Sequence, residues 1–114
     1  MIIREWRARA EPAQMDAYPK HFREMVAPEL HHVEGFLGAY LSQCLVEGEV
    51  EFIVQTRWQS MESIRGFAGE AVEQAKVEPG AVAALTSYDD TVRHYDRSCM
   101  AIYRWTFFST HIYI

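Results

Sequence analysis

The chain has 114 residues, of which 49% are hydrophobic and 24% are charged, and its formal net charge is −5. This length and composition are typical of one globular domain with its own core. The acidic balance argues against a nucleic-acid-binding surface, because neutralising phosphates needs clustered Lys and Arg. No apolar stretch approaches the ~20 residues of a membrane-spanning helix, and the first seven residues mix charged and apolar side chains, unlike a secretion signal. We therefore expect a cytoplasmic protein whose partners include neither nucleic acid nor membrane.

Cysteine and metal-ligand spacing offers no sign of a cofactor. Cys44 and Cys99 lie 55 positions apart without a Cys-x-x-Cys pair, which favours reduced thiols over a disulfide in this compartment. Glu29 and His32 form a single Glu-x-x-His fragment, and a di-metal site would need a second copy. Glycine-rich nucleotide motifs are also missing from the sequence. The sequence predicts no metal and no cofactor.

The first third of the chain predicts a strand followed by a helix. Ile2–Ala10 alternates in polarity with the period of a strand. Residues 13–27 carry apolar side chains at helical spacing, which predicts an amphipathic helix. Pro19 predicts a kink or a delayed start, and Pro28 predicts the end of the helix or a turn in it.

The middle of the chain predicts a hairpin and a second helix. Phe36–Val46 and Glu49–Trp58 read as strands joined by a tight turn at Glu47-Gly48. Ser60 is a favourable N-cap for the helix that follows, and Gly69 is expected to end it.

The part of the chain after the second helix predicts a short helix and a fourth strand. A short helix is predicted from Pro79 through Leu85, and Thr91–Arg97 alternates as a fourth strand. The order is β-α-β-β-α-β, so we predict an α+β, ferredoxin-like split βαβ fold with one antiparallel sheet and helices on one face. Apolar residues predicted for the open face, namely Leu37, Ala39, Leu41 and Ile53, would form a contiguous exposed patch. We therefore expect a homodimer.

Four segments of the sequence resemble the antibiotic biosynthesis monooxygenase (ABM) domain family. They are residues 52–69, which run from Phe52 through Trp58 and Ser60 to Gly69, the run Gly35-Phe36-Leu-Gly38-Ala-Tyr40, and Val77-Glu-Pro79 with Thr91-Val-Arg-His94-Tyr95. The resemblance extends to about residue 97. It implies a dimeric α+β barrel with a small apolar pocket in each subunit, and a domain spanning residues 1–98.

The resemblance also implies a range of activities. Members of the family include cofactor-free monooxygenases that oxidise polycyclic phenols to quinones, and haem-degrading enzymes whose axial histidine follows the second helix. Residues 73–78 of this chain contain no histidine, so haem ligation at this point is not expected. We predict a cofactor-independent monooxygenase acting on a small or polycyclic electron-rich aromatic of the phenol or quinol type. The alternative is a non-catalytic dimeric ligand-binding or stress-associated protein.

His94 is the candidate catalytic residue. An imidazole beside the predicted pocket wall titrates near neutral pH and can accept a proton from a phenol. The alternative is a core histidine bonded to a backbone carbonyl or a carboxylate. Five further side chains are candidate substrate-binding groups, each with packing or solvation as the alternative role: Trp58, Tyr40, Phe67, His21 and Tyr88.

The C-terminal extension, residues 99–114, lies beyond the resemblance. It holds five aromatic residues and one charged residue, Arg104. A solvated tail would not have this composition. We expect an extended strand that is added to the edge of a sheet, with irregular packing over the helices as the alternative.

Overall fold

The sheet of this protein, seen in a computed structural model that describes residues 1–101, is antiparallel and has five strands. The strands are β1 (Ile2–Ala10), β2 (Phe36–Val46), β3 (Glu49–Trp58), β4 (Ser87–Tyr88) and β5 (Arg93–Asp96). The helices are α1 (Ala17–His21), α2 (Ala27–His31), α3 (Met61–Ala68) and α4 (Pro79–Ala83). This is the ferredoxin-like α+β fold that the sequence predicts. No helix within these residues is long and apolar enough to cross a membrane.

Strand β1 lies at the centre of the sheet, which has the order β2-β3-β1-β4, with β5 also paired to β1. Its register places Arg4 between Thr56 of β3 and His94 of β5. The sequence predicts four strands and misses β4, because a strand of two residues is too short to show alternation. The two residues of β4 pair with Ala8 and Arg9 of β1. Both β4 and β5 therefore lie along the same edge of β1.

The first helical segment contains a widened turn that proline explains. It begins at Ala17, after a 3₁₀ turn at Pro12–Gln14, and residues Phe22–Val26 between α1 and α2 form a π-helical turn. Pro28 has no N–H to donate to the carbonyl of residue 24, and its ring would clash with that carbonyl in a regular α-helix. The wider turn relieves this conflict. Pro28 therefore turns the segment without ending it.

One face of the sheet, called here the inner face, packs against the helices. One buried cluster joins the middle of the sheet to α1, the π turn and α4: Ala10, Tyr18, Phe22, Val50, Phe52, Val54 and Ala81. A second joins the sheet to α2 and α3: Ile2, Leu30, Trp58 and Ile64. Helix α3 is fixed by the predicted cap, since Ser60 Oγ accepts a hydrogen bond from the Ser63 N–H at 3.2 Å.

The predicted apolar patch on the open face is wrong. Ala39 and Leu41 pack against the inner-face cluster, while Ile53 lies on the opposite, outer face. A β-bulge between Phe36 and Gly38 adds one residue to β2, and such an insertion reverses which face each later side chain occupies. Leu37, 51% exposed, lies at this bulge.

Charged and polar side chains dominate the outer face instead. Arg7 contacts Glu51 at 3.2 Å, and Gln55 Nε2 donates to Glu5 Oε1 at 3.1 Å. Cys44 and Cys99 are both exposed and unbonded. A dimer therefore cannot be argued from an apolar outer face.

Candidate functional site

A cavity of about 510 Å³ separates the inner face of the sheet from the helices. This volume is within the range of small-molecule sites, ~300–1,000 Å³. Most of its walls are apolar or aromatic. These residues come from β1, β3, the four α-helices, the π turn, and the segments that follow α2 and precede α4 and β5: Trp6, Tyr18, Phe22, Val26, Leu30, Val33, Val54, Phe67, Ala75, Val77, Pro79, Ala81 and Val92. The cavity is therefore suited to an apolar or aromatic ligand.

A smaller group of polar side chains also lines the cavity: Arg4, His21, Glu29, Thr56, Lys76 and Glu78. In the described part of the chain, no group of three or more His, Cys, Asp or Glu side chains is placed to share a metal ion. The polar groups are thus the ones that could orient a ligand.

Arg4 is the charged side chain of β1 on the inner face, and it is only 6% exposed. Its Nη1 donates to the carbonyl of Val72 at 2.6 Å and its Nη2 to the carbonyl of Gln74 at 2.9 Å. These bonds tie the irregular segment after α3 to the sheet. Since Ala75 to Pro79 of that segment line the cavity, Arg4 holds one wall in position.

The charge of Arg4 has no counter-ion among the residues that the structure describes. Within residues 1–101, no carboxylate lies within 4.0 Å of its guanidinium, and its side-chain partners there are neutral carbonyls and a histidine. Burial lowers its pKa, although an arginine stays protonated in proteins. The cavity therefore contains a buried positive charge in its wall.

His94 lies behind Arg4 and is not among the described residues that line the cavity. Its Nε2 is 3.0 Å from Arg4 Nη1, and because a guanidinium only donates, Nε2 accepts. The pKa of His94 is lowered, chiefly by burial and also by the charge of Arg4, with Glu73 acting in the opposite direction. His94 therefore orients Arg4 with the lone pair that a catalytic base would need.

Thr56 completes a polar row across β3, β1 and β5. Its hydroxyl accepts a hydrogen bond from Trp58 Nε1 at 2.8 Å and donates to the backbone carbonyl of Arg4 at 3.4 Å. Trp58 is fully buried in the second cluster. The structure thus places Trp58 one contact away from the cavity, and Thr56 in its wall.

His21 of α1 lines the cavity beside Tyr18 and Glu78. Its side chain is 14% exposed, and Nε2 lies 3.5 Å from Glu78 Oε2, within ion-pair distance although not in hydrogen-bond geometry. Gly80 makes room for the ring, because a Cβ there would be 2.9 Å from His21 Cε1. Burial, and then the charge of Glu78, raises the pKa of the neighbouring Tyr18. The structure thus places a histidine and a carboxylate within ion-pair distance of each other in the cavity wall.

The other predicted binding residues are divided by the fold. Phe67 lines the cavity, and Lys76 Nζ lies 5.2 Å from its ring centre. Tyr88 packs against Trp6 with ring centres 6.1 Å apart, outside the lining. Tyr40 is 57% exposed on the outer face, where its hydroxyl accepts a hydrogen bond from Arg57. Of the six predicted site residues, the structure brings His21 and Phe67 to the cavity.

Several residues of the cavity were not predicted from the sequence, although the sequence pattern marks two of them as unusual. Arg4 and Thr56 are polar residues at inward positions of otherwise apolar strand faces, and such positions need a reason. Trp6 gives no such signal, because its hydrogen bond from Nε1 to the carbonyl of Asp89 at 2.6 Å joins residues that are too distant in sequence to be paired by pattern.

The protein belongs to the antibiotic biosynthesis monooxygenase family, since the model of that family matches residues 1–78. The resemblance noted in the sequence is thereby confirmed. Among curated proteins, none matches the sequence significantly.

Solved structures share the fold at low sequence identity. One from Bacillus cereus, described as a candidate antibiotic biosynthesis monooxygenase, has a TM-score of 0.64 and 20% identity, with 91% of this chain and 98% of that chain covered. A similarly described protein from Deinococcus radiodurans has a TM-score of 0.59 and 17% identity, covering 93% and 100%. The heme-degrader MhuD from Mycobacterium tuberculosis, solved with two hemes in its active site, has a TM-score of 0.60 and 22% identity, covering 89% and 99%. At these identities the likeness shows the fold.

Proposed function

We propose that the protein is a cofactor-independent monooxygenase that oxidises an electron-rich aromatic of the phenol type inside the cavity. The observation that carries this proposal is the placement of the His21–Glu78 pair in the wall of a largely apolar cavity. Family membership adds support, because it assigns the chain to monooxygenase-like proteins. The protein would bind the substrate, remove one proton and exclude water.

His21 is the proposed base. Glu78 Oε2 faces Nε2, so the carboxylate favours the tautomer with the proton on Nε2 and leaves the lone pair on Nδ1. Such contacts are often long in a structure without substrate and shorten when it binds. His94, the base predicted from sequence, instead uses its Nε2 to accept from Arg4, so we assign it the positioning of Arg4.

The reaction balances without another reductant. A phenol with a free para position loses its hydroxyl proton to His21, and the electron density of the phenolate moves to the para carbon. That carbon forms a bond to O₂, and the O–O bond then breaks. The departing oxygen leaves as water with the proton returned from His21 and the hydrogen of the para carbon, which becomes a second carbonyl. One phenol and one O₂ thus give one quinone and one water. Apolar walls favour this chemistry because they keep water away from the carbanion.

Oxygen uptake with 1-naphthol tests the proposal. We expect consumption of one O₂ for each 1,4-naphthoquinone formed, with one atom of ¹⁸O₂ in the quinone and one in water. Release of hydrogen peroxide in place of labelled quinone would contradict a monooxygenase. Binding of 1-naphthol without turnover would favour the non-catalytic ligand-binding alternative.

Three variants locate the base. His21→Gln should lower turnover by ~10²–10⁴-fold, the usual effect of removing a general base, while the melting temperature changes little. The matched control is His31→Gln, at an exposed position of α2 outside the cavity lining. His94→Gln keeps an acceptor for Arg4 and should cost less than His21→Gln. A larger loss in His94→Gln would return the role of base to His94.

We also propose that the active form is a homodimer, as the family resemblance implies. The outer face would be its interface, since the ion pairs Arg7–Glu51 and Arg9–Asp89 provide charges of both signs for a second copy. Sedimentation of the full chain tests this, and a monomer at micromolar concentration would contradict it.

A further inference from the structure

We propose that the cavity selects an aromatic ligand that carries a negatively charged oxygen, and that Arg4 binds this oxygen. The proposal deepens the proposed function, because it rests on the same cavity being the substrate site. It names the ligand class as an aromatic whose oxygen is anionic when bound, either a carboxylate or the phenolate that forms when His21 takes the proton, in preference to one that stays neutral.

Within residues 1–101, the buried charge of Arg4 has no ion-pair partner. A buried ion is costly unless it is paired, and arginine is almost never fully buried without a partner. Arg4 is 6% exposed and has no carboxylate within 4.0 Å among residues 1–101. If Arg4 only held the carbonyls of Val72 and Gln74 in position, its hydrogen bonds would be explained. Its positive charge would still have no negatively charged partner among residues 1–101. An anionic ligand supplies the missing partner.

Arg4 also has N–H donors that its partners among the described residues do not use. A guanidinium has five N–H groups, and three of them are used on Val72, Gln74 and His94 within the described residues. Two N–H groups remain, on a side chain that lines the cavity. A charge-assisted bond from arginine to an anionic oxygen is about twice as strong as a neutral one.

The other charged side chains that line the cavity are distributed differently from Arg4. Lys76 also lines the cavity and adds a second positive charge near Phe67, whose ring centre is 6.0 Å from Arg4 Cζ and 5.2 Å from Lys76 Nζ. The other charged residues in the lining are nearer to solvent than Arg4, since Lys76 and Glu29 are exposed and the Glu78 side chain is 43% exposed. The least exposed charge of the cavity is therefore positive.

Matched ligands test the preference on the unmodified protein. The probes are 2-naphthoate and its neutral counterpart 2-naphthamide, which have nearly the same size and shape. We expect calorimetric titration to show ~10–100-fold tighter binding of 2-naphthoate, from the usual strength of hydrogen bonds to charged groups. Equal binding of the two probes, or tighter binding of 2-naphthamide, would overturn the proposal.

A second probe distinguishes phenolate from carboxylate as the source of the charge. The ionised form of 4-nitrophenol absorbs visible light, so its ionisation can be followed at fixed pH as protein is added. An increase in absorbance shows that the site favours the phenolate. Preference for 2-naphthoate without this increase supports the proposal with carboxylate as the ligand group.

Variants assign the effect to Arg4. Arg4→Met should abolish the preference for 2-naphthoate, and Arg4→Lys, which keeps the charge, should retain part of it. The matched control is Arg7→Met, on the same strand but on the outer face, which should leave the preference unchanged. If Arg4→Met fails to fold, the wild-type comparison and Arg4→Lys still decide the question.

The two proposals fail separately. A protein that prefers 2-naphthoate but consumes no oxygen with 1-naphthol keeps this inference and loses the monooxygenase activity. A protein that consumes oxygen with 1-naphthol but shows no charge preference keeps the activity and loses the role of Arg4.

Discussion

Replacing Trp58 by Phe separates a structural tryptophan from a substrate-binding one. Trp58 is fully buried, and its Nε1 donates to Thr56 Oγ1 at 2.8 Å. Trp58→Phe removes this bond, at about 1 kcal/mol. It also leaves a void where the distal six-membered ring of the indole was, for which we expect ~1–2 kcal/mol, since complete truncation of Phe or Trp costs ~3–5 kcal/mol. The expected loss is therefore ~2–3 kcal/mol in the free energy of unfolding.

The corresponding change in melting temperature is large enough to measure. With an unfolding entropy of ~2.1 cal/mol/K for each of 114 residues, 1 kcal/mol corresponds to about 4 °C. Trp58→Phe should then lower the melting temperature by ~8–12 °C. Circular dichroism measures this change, and titration with 2-naphthoate at a temperature where the variant is folded measures ligand affinity, which should be nearly unchanged.

Trp6→Phe is the matched comparison for this prediction. It loses an equivalent hydrogen bond, from Nε1 to the carbonyl of Asp89, but Trp6 lines the cavity. Trp6→Phe should therefore lose ligand affinity as well as stability. If Trp58→Phe instead weakens binding and leaves the melting temperature unchanged, Trp58 contacts the ligand and our assignment is wrong.

Four further predictions concern stability, assembly and ligands. The lowered pKa of His94 means that the unfolded chain takes up the proton first, so the free energy of unfolding should fall as the pH drops below ~6.5; urea unfolding should show a smaller fall in His94→Gln. Ile53→Asp should dissociate the dimer, whereas Leu41→Asp, on the inner face, should unfold the chain, and sedimentation with circular dichroism distinguishes the two. Hemin titration should give no Soret shift typical of an axial imidazole, since residues 73–78 contain no histidine, and a shift would contradict this. Truncation after Ser98 should cause monomerisation or precipitation, and a soluble, equally stable dimer would refute a role for the extension.

The main strands could be predicted from sequence because each shows its own local signal. The bounds of β1, β2 and β3 follow from alternation and from the turn at Glu47-Gly48, and Ser60 caps α3 as expected. The face of Ala39 and Leu41 could not be predicted, because the bulge at Gly38 changes the parity of the strand without a clear sequence mark. Most of the predicted extension lies outside the described residues, so its structure stays a prediction.

The candidate site was harder to predict because it is built from contacts between distant segments. His21 and Phe67 could be found from helical spacing and aromatic character. The environment of His94 could not, since its neighbour Arg4 lies 90 positions away along the chain. The residue type alone made His94 a candidate base. Only the pairing of β5 with β1 shows that its Nε2 already accepts a hydrogen bond from Arg4.

The ties between β1 and the C-terminal third of the described chain have a consequence for folding. The β2–β3 hairpin is local in sequence, whereas the wall next to Arg4 depends on bonds across 68 and 70 positions. Contacts of this range form late, because closing long loops is costly in entropy. The cavity therefore exists only in the fully folded chain, and a ligand stabilises that state alone. A compound at ~100 times its Kd should add about 2.7 kcal/mol, or about 11 °C in melting temperature for this chain length, so a thermal-shift screen can search for the natural substrate before any activity is known.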